Sequence, residues 1–195
     1  MTRIIAGEAK GRRIETPPGD QTRPTTDRVR EALFSAVESW CGSLRGLVFL
    51  DLYAGSGAVG LEAWSRGAEA VTFVESDRAT ARLIEQNART LGFTHADVQQ
   101  SRVATWLART PARRFDVVFS DPPYPLSDDG LAEDLELLVP WLAPDALVVV
   151  ERSRRSAEPR WPTGGPGINA TRGRSILGER SKRYGETVLW YGHAP

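Results

Sequence analysis

The chain has 195 residues, enough for one domain with a substantial hydrophobic core. Its single cysteine, Cys41, excludes an internal disulfide and suits a reducing compartment, so we expect a cytoplasmic protein. The polar N-terminal residues and the lack of a long apolar run predict neither a signal peptide nor membrane association. His95 and His193 are isolated, so we expect no metal site.

The net charge is zero, but the charges are unevenly distributed. Residues 1–30 carry 7 basic and 4 acidic side chains (+3), residues 31–151 carry 9 and 18 (−9), and residues 152–195 carry 9 and 3 (+6). Basic segments of this kind are typical of nucleic-acid binding, although solvated arms would give the same count. The two ends therefore predict contacts with a polyanion.

The first 42 residues predict a hairpin and a helix. Residues 3–6 and 12–15 read as short strands around a glycine-containing loop, and residues 16–24 read as a proline-rich linker. Thr25 or Thr26 can cap a helix that has Asp27 in its first turn and ends at Gly42. We therefore predict an N-terminal extension, residues 1–42, before the main domain of residues 43–195.

From residue 47 onwards, strands and helices alternate. Strands are predicted at 47–50, 70–75, 98–101, from 115, and at 146–151. Helices are predicted after the segment 51–60, ending near Gly67, and at 77–91, 104–109 and 131–142. Residues 153–173 read as a surface loop. The last two strands, 175–183 and 187–191, are joined by a tight turn and so are antiparallel. The pattern predicts an α/β fold, a Rossmann-like doubly wound sheet with an antiparallel last strand.

A glycine-rich turn follows the first strand of this pattern. The segment Asp51-x-x-x-Gly55-x-Gly57 allows a ligand to approach the backbone closely, and Gly60 even matches dinucleotide-binding spacing. However, Asp51 would repel a pyrophosphate and attract an ammonium group. S-adenosylmethionine carries an amino-acid end and no phosphate, and Glu75 ends the next strand, where a carboxylate accepts from ribose hydroxyls. The two carboxylates at adjacent strand ends therefore favour S-adenosylmethionine over a dinucleotide.

A second loop follows the strand that begins at Phe115. Pro122 and Pro123 end the strand, which leaves Asp121 at the sheet edge where ligands bind. Asp121 and the Pro122 carbonyl supply two acceptors, and Tyr124 supplies a stacking surface. Together they suit a planar ring that carries an exocyclic amine, although Asp-Pro-Pro alone is also a common turn.

In these motifs the chain resembles the bacterial 16S rRNA guanine-N2 methyltransferases of the RsmD type. Five further segments carry the same resemblance: Arg3-Ile4-Ile5-Ala6-Gly7, Lys10-Gly11-Arg12, Arg23-Pro24-Thr25, Arg28-Val29-Arg30-Glu31-Ala32-Leu33-Phe34 and Lys182-Arg183-Tyr184-Gly185. The resemblance covers nearly the whole chain. It implies the class I S-adenosylmethionine-dependent methyltransferase fold. It also implies methylation of one guanine of 16S rRNA, in the small subunit or its assembly intermediate. We expect a monomer in which residues 1–42 dock RNA and cover the cofactor.

The predicted site residues form three groups. The cofactor is assigned to Asp51, Tyr53, Ala54, Gly55, Gly57, Glu75, Ser76, Arg102 and Val103; the reaction to Asp121, Pro122, Pro123 and Tyr124; and RNA docking to Lys10, Arg12, Arg13, Arg23, Lys182 and Arg183. Arg102 departs from the family pattern, because an acidic or amide side chain is expected there to accept from the adenine amine. Backbone near Val103, or stacking on the Arg102 guanidinium, would have to replace it.

Three other functions share parts of this pattern. A DNA adenine or cytosine amino-methyltransferase would also carry Asp-Pro-Pro-Tyr, but it usually needs a further domain to read bases in the groove. A protein glutamine methyltransferase would have Asn at position 121. An RNA-binding assembly factor could retain the pocket without turnover.

Overall fold

The alternating pattern folds into a seven-stranded sheet with helices on both faces, preceded by a small hairpin. The computed structural model describes residues 2–17, 26–164 and 175–195. In chain order the elements are β1 (Thr2–Arg3), β2 (Arg13–Ile14), α1 (Asp27–Cys41), β3 (Val48–Leu52), α2 (Ala58–Ser65), β4 (Ala70–Glu75), α3 (Arg78–Leu91), β5 (Asp97–Gln100), α4 (Val103–Leu107), β6 (Phe115–Ser120), α5 (Asp128–Leu138), a 3₁₀ turn (Val139–Trp141), β7 (Leu142–Ser153), β8 (Leu177–Tyr184) and β9 (Thr187–His193).

The strand order of the large sheet is β5-β4-β3-β6-β7-β9-β8. Strands β3 to β7 run parallel, whereas β9 is antiparallel to both β7 and β8, which confirms the predicted antiparallel ending. Along the chain, β4 and β5 are added on one side of β3, and β6 is then added on the opposite side of β3. The direction therefore reverses between β3 and β6, and open sheets of this type bind ligands at that point.

Each face of the sheet has its own hydrophobic core. One core contains side chains of α1, α2 and α3 packed on Phe49, Phe73 and Phe119. The other contains side chains of α4 and α5 packed on Leu50 and Val118. Neighbouring residues of one strand thus enter opposite cores, as a strand buried on both faces requires. Among the described residues, no helix is long and apolar enough to cross a bilayer.

The N-terminal hairpin forms as the sequence predicts, with Arg3 opposite Arg13. Its buried Ile4 and Ile14 belong to the same hydrophobic cluster as α1 and the sheet. Thr26 caps α1 by accepting from the Val29 N–H (3.3 Å), as one of the two predicted alternatives. Most of the predicted linker at 16–24, and residues 165–173 of the predicted loop, lie outside the described residues.

The helix predicted at 131–142 occupies different positions. Ser127 accepts from the Gly130 N–H (3.0 Å), and this cap starts α5 at Asp128. At the other end, Pro140 has no N–H to continue the helix, so α5 gives way to the 3₁₀ turn. Strand β7 therefore begins at Leu142, earlier than the predicted position 146, and extends to Ser153.

Candidate active site

A cavity of about 410 Å³ opens where the sheet reverses direction. The segments that follow β3, β4 and β6 and the carboxyl end of β7 line it, because parallel strands bring their carboxyl ends to one edge. The lining residues include Asp51, Tyr53, Ala54, Gly55, Glu75, Ser76, Asp121, Pro122, Pro123, Tyr124, Glu151, Arg152, Ser153 and Thr187. The predicted cofactor loop and the predicted acceptor loop thus face one space.

The glycine turn adopts backbone angles that side chains rarely tolerate. Gly55 and Gly57 have positive φ angles of 53° and 77°, and Gly57 is the N-cap of α2. A Cβ atom at Gly60 would lie 2.3 Å from a ring carbon of Phe73, so α2 can approach the sheet this closely only with glycine there. Gly60 therefore serves helix packing and does not line the cavity.

Asp51 lies within β3 and is almost completely buried (2% exposed). One carboxylate oxygen accepts the Gly60 N–H at 2.8 Å, which ties α2 to the strand. Burial, together with the nearby negative charge of Glu75, raises the Asp51 pKa to about 8, although the Gly60 hydrogen bond opposes the rise. Asp51 thus supports the turn and also reaches the cavity wall.

Glu75 ends β4 and connects two loops. Its two carboxylate oxygens accept the Gly55 N–H at 3.0 Å and the Asp77 N–H at 2.8 Å. Because each carboxylate oxygen has two lone pairs, these bonds leave acceptor capacity on the cavity side. Glu75 lines the cavity, and its role as an acceptor for sugar hydroxyls stays a prediction.

Tyr53 joins the glycine turn to α5. Its backbone has a positive φ of 58°, and its hydroxyl donates a short hydrogen bond to Asp134. Burial raises the pKa of Tyr53, and the Asp134 carboxylate raises it further; burial likewise raises the pKa of Asp134. The phenol therefore remains protonated and fixes the turn against the helix that follows the acceptor loop.

The acceptor loop leaves the sheet at Asp121, whose N–H donates to the Leu52 carbonyl at 3.4 Å. The loop then turns tightly, because the Leu126 N–H donates to the Pro123 carbonyl at 2.9 Å. Tyr124 on this turn is 71% exposed, which is unusual for a large aromatic side chain. The loop thus places an exposed ring beside the cavity.

Three residues assigned to the cofactor lie outside the cavity lining. Gly57 faces Ile84, whose side chain would contact a Cβ atom at 3.0 Å. Val103 is buried in the core with α4 and α5. Arg102 is exposed at the start of α4, next to Ser101, whose N–H donates to the Glu75 carbonyl at 3.0 Å.

The basic residues assigned to RNA docking differ in their surroundings. Lys10 and Arg13 are exposed on the N-terminal hairpin, and Lys182 and Arg183 are exposed on the edge strand β8. Arg12 instead donates to the Leu91 carbonyl at 2.8 Å and to the Thr90 carbonyl, so it covers the carboxyl end of α3. Arg23 lies outside the described residues.

Sequence reasoning missed the contribution of β7 and β9 to the cavity. Glu151, Arg152 and Ser153 line it from the end of β7, and Thr187 lines it from the start of β9. Glu151 follows an apolar strand as Glu75 does, which marks it as an acid at a strand end, but only the pairing of β7 with β6 brings it to this cavity. Residues 2–17, 26–164 and 175–195 contain no group of three or more His, Cys, Asp or Glu side chains arranged to hold a metal ion.

Comparisons with known proteins agree with this geometry. A family model described as conserved hypothetical protein 95 matches residues 2–191. Ribosomal RNA small subunit methyltransferase D of Escherichia coli K12 is 39% identical over 170 residues, 82% of this chain and 79% of that protein. The protein of the same name from Haemophilus influenzae is 37% identical over 155 residues, 78% and 79% of the two chains.

Solved structures include proteins with a similar fold over nearly the whole chain. The Escherichia coli protein yhhF has a TM-score of 0.81 and 33% identity, over 98% of this chain and 96% of that one. Protein TTHA0928 of Thermus thermophilus has a TM-score of 0.78 and 32% identity, over 98% of both chains. The strand order, the glycine turn and the Asp-Pro-Pro-Tyr loop together define a class I methyltransferase. Within that class, the chain belongs to the ribosomal RNA small subunit methyltransferase D family.

Proposed function

We propose that the protein transfers a methyl group from S-adenosylmethionine to N2 of one guanine in 16S rRNA. The observation that carries this proposal is the shared cavity, which Glu75 and the glycine turn line from one side and Asp121, Pro122 and Tyr124 from the other. A methyl donor held by the first group would face an amine held by the second. The small-subunit rRNA named for the relatives supports the choice of substrate.

The lining residues suit S-adenosylmethionine better than a phosphate-bearing nucleotide. Arg152, from β7, is the one cationic side chain among the described lining residues, whereas the glycine turn is flanked by the carboxylates of Asp51 and Glu75. Glu75 would accept from the ribose hydroxyls, and Asp51, once ionised, would face the ammonium group. When bound, the cofactor supplies an activated methyl group on a sulfonium centre.

The acceptor loop would hold the base. A guanine must leave its stack to present N2, and the exposed ring of Tyr124 would stack on it. Asp121 would accept one N2–H and the Pro122 carbonyl the other, which aims the nitrogen lone pair into the cavity. Most of the acceleration would come from this positioning. Asp121 is too weak a base to deprotonate the neutral amine, but it can accept a proton once the methylated nitrogen is cationic.

The exposed cations on two surfaces support an RNA substrate. Lys10 and Arg13 project from the hairpin, and Lys182 and Arg183 from β8. Contacts between these side chains and phosphates would position a monomer on the small subunit or on its assembly intermediate. The enzyme would then deliver its cavity to one exposed guanine.

The test is transfer of labelled methyl to naked 16S rRNA, small-subunit particles, DNA and protein in parallel, followed by nucleoside analysis. We expect 2-methylguanosine from the rRNA-containing substrates. Labelled methyladenine or methylcytosine in DNA, or label in protein, would favour a rival enzyme. No transfer to any substrate, with RNA binding intact, would favour an assembly factor.

A further inference from the structure

The carboxyl end of β7 lies beside the acceptor loop. Ser120, the last residue of β6, pairs with Val150 of β7 in parallel register, so Asp121 leaves the sheet beside Glu151, the next residue of β7. Adjacent strands are about 5 Å apart, and both residues line the cavity. Glu151 is only 7% exposed, so most of its side chain is shielded from bulk water. A second carboxylate therefore stands next to the proposed amine site.

Guanine has an edge that requires such a group. Its N2 amine adjoins N1–H, which is also a donor. If Asp121 and the Pro122 carbonyl accept both N2 hydrogens, N1–H still needs an acceptor where the base contacts the protein. Purines with an unprotonated N1, such as adenine and 2-aminopurine, would instead turn a lone pair toward the same position.

We propose that Glu151 determines the specificity of the enzyme for guanine by accepting the N1–H bond of the target base. This inference rests on the proposed guanine-N2 activity. Glu151 accepts N1–H while Asp121 accepts N2–H, so two neighbouring carboxylates read two neighbouring donors. A base with a lone pair at N1 places that lone pair against a buried carboxylate and is rejected.

Arg152, the residue after Glu151, connects β7 to the far end of the acceptor loop. Its guanidinium donates to Asp128 at 2.7 Å and to the Leu126 carbonyl at 3.5 Å, which ties β7 to the end of the acceptor loop. The Arg152 side chain is itself largely buried, with 9% exposure. The acceptor loop is therefore attached to β7 at its end as well as to the sheet at Asp121.

The test compares guanine with 2-aminopurine, which keeps the exocyclic amine but lacks the N1 hydrogen. Small-subunit particles are reconstituted with either base at the mapped target position, and kcat/KM is measured for the wild type and for Glu151→Gln. The wild type should prefer guanine by roughly tenfold to a hundredfold, the discrimination that one or two base-edge hydrogen bonds provide. Glu151→Gln should lower kcat/KM for guanine and keep or raise it for 2-aminopurine, because the amide can donate to N1.

Two further variants provide a control and an alternative substitution at position 151. Glu136→Gln makes the same change at an exposed position of α5 and should retain the wild-type preference. Glu151→Asp withdraws the carboxylate by one methylene and should lower the guanine rate more than the 2-aminopurine rate, which provides a result if the amide variant does not fold. Equal losses for both bases, or a wild type that does not discriminate, would overturn the proposal. A wild type that forms no 2-methylguanosine at all would instead refute the proposed function.

Discussion

Glu62 is a buried carboxylate whose removal should detach the N-terminal hairpin. It lies on α2 with no exposed surface and accepts the N–H groups of Ile5 at 2.7 Å and Ala6 at 2.9 Å. Its third partner is Arg66, whose Nε donates at 2.8 Å. Glu62→Ala leaves two backbone donors and a guanidinium without this acceptor.

The expected loss of stability follows from those three bonds. An unsatisfied buried donor costs about 1–3 kcal/mol, and breaking a buried charged pair costs about 3–5 kcal/mol. Arg66 keeps one partner, Glu38 at 3.0 Å, so we expect a total loss of about 3–5 kcal/mol. Part of that loss should appear as local opening of the hairpin.

Chemical denaturation and amide hydrogen exchange measure the two effects. The free energy of unfolding should fall, and the Ile5 and Ala6 amides should exchange faster than those of the central strand β3. Glu69→Ala is a matched control, since Glu69 is exposed, and it should stay within about 0.5 kcal/mol of wild type. If Glu62→Ala has the same unfolding free energy as the control, and its Ile5 and Ala6 amides exchange at the wild-type rate, then Glu62 does not anchor the hairpin.

Two further predictions concern a buried acid and the RNA-docking cations. The folded Asp51 pKa of about 8 lies above its usual unfolded value near 3.9, so wild type should lose stability relative to Asp51→Asn as pH rises from 4 to 8. Denaturation at pH 5 and pH 8 tests this, and a pH-independent difference would contradict it. Replacing both Lys10 and Arg13 with Ala should weaken RNA binding and reduce the salt slope by about two, because each phosphate contact releases roughly one counterion. Unchanged RNA affinity and salt slope would exclude the hairpin as a docking surface.

Arg12 is omitted from that second variant for a structural reason. Its guanidinium donates to the carbonyls of Leu91 and Thr90, so Arg12→Ala would also uncover the end of α3. A loss of RNA binding in Arg12→Ala would therefore mix a docking effect with a stability effect. Replacing Lys10 and Arg13 instead tests the docking effect without this loss of stability.

The features predictable from sequence are those set by local chemistry. The strand at 70–75 coincides with β4, because its apolar run ends at a charged residue. Asp77 caps α3 and Gly92 ends it with a positive φ, as capping preferences predict. The Asp121 loop could also be located, because two prolines must end a strand.

The features that could not be predicted depend on contacts between distant segments. Glu62 reads as an ordinary helix surface charge, yet the hairpin, 56 residues away at Ala6, buries it. The depth of Asp51 within β3 likewise depends on α2 packing against the sheet. Glu151 enters the cavity only because β7 lies next to β6, a pairing that a single sequence does not specify.

The most direct test that Asp121 holds the acceptor amine is single-turnover methylation of small-subunit particles at saturating cofactor, with wild type and Asp121→Ala. Asp145→Asn is the control, because Asp145 is an exposed residue with positive φ, a conformation that Asn tolerates. The rate for Asp121→Ala should be roughly a hundredfold or more lower, the scale of a mispositioned reacting atom, with cofactor affinity nearly unchanged and the control at the wild-type rate. Equal rates for wild type and Asp121→Ala would show that Asp121 is only a turn residue and that the amine binds elsewhere.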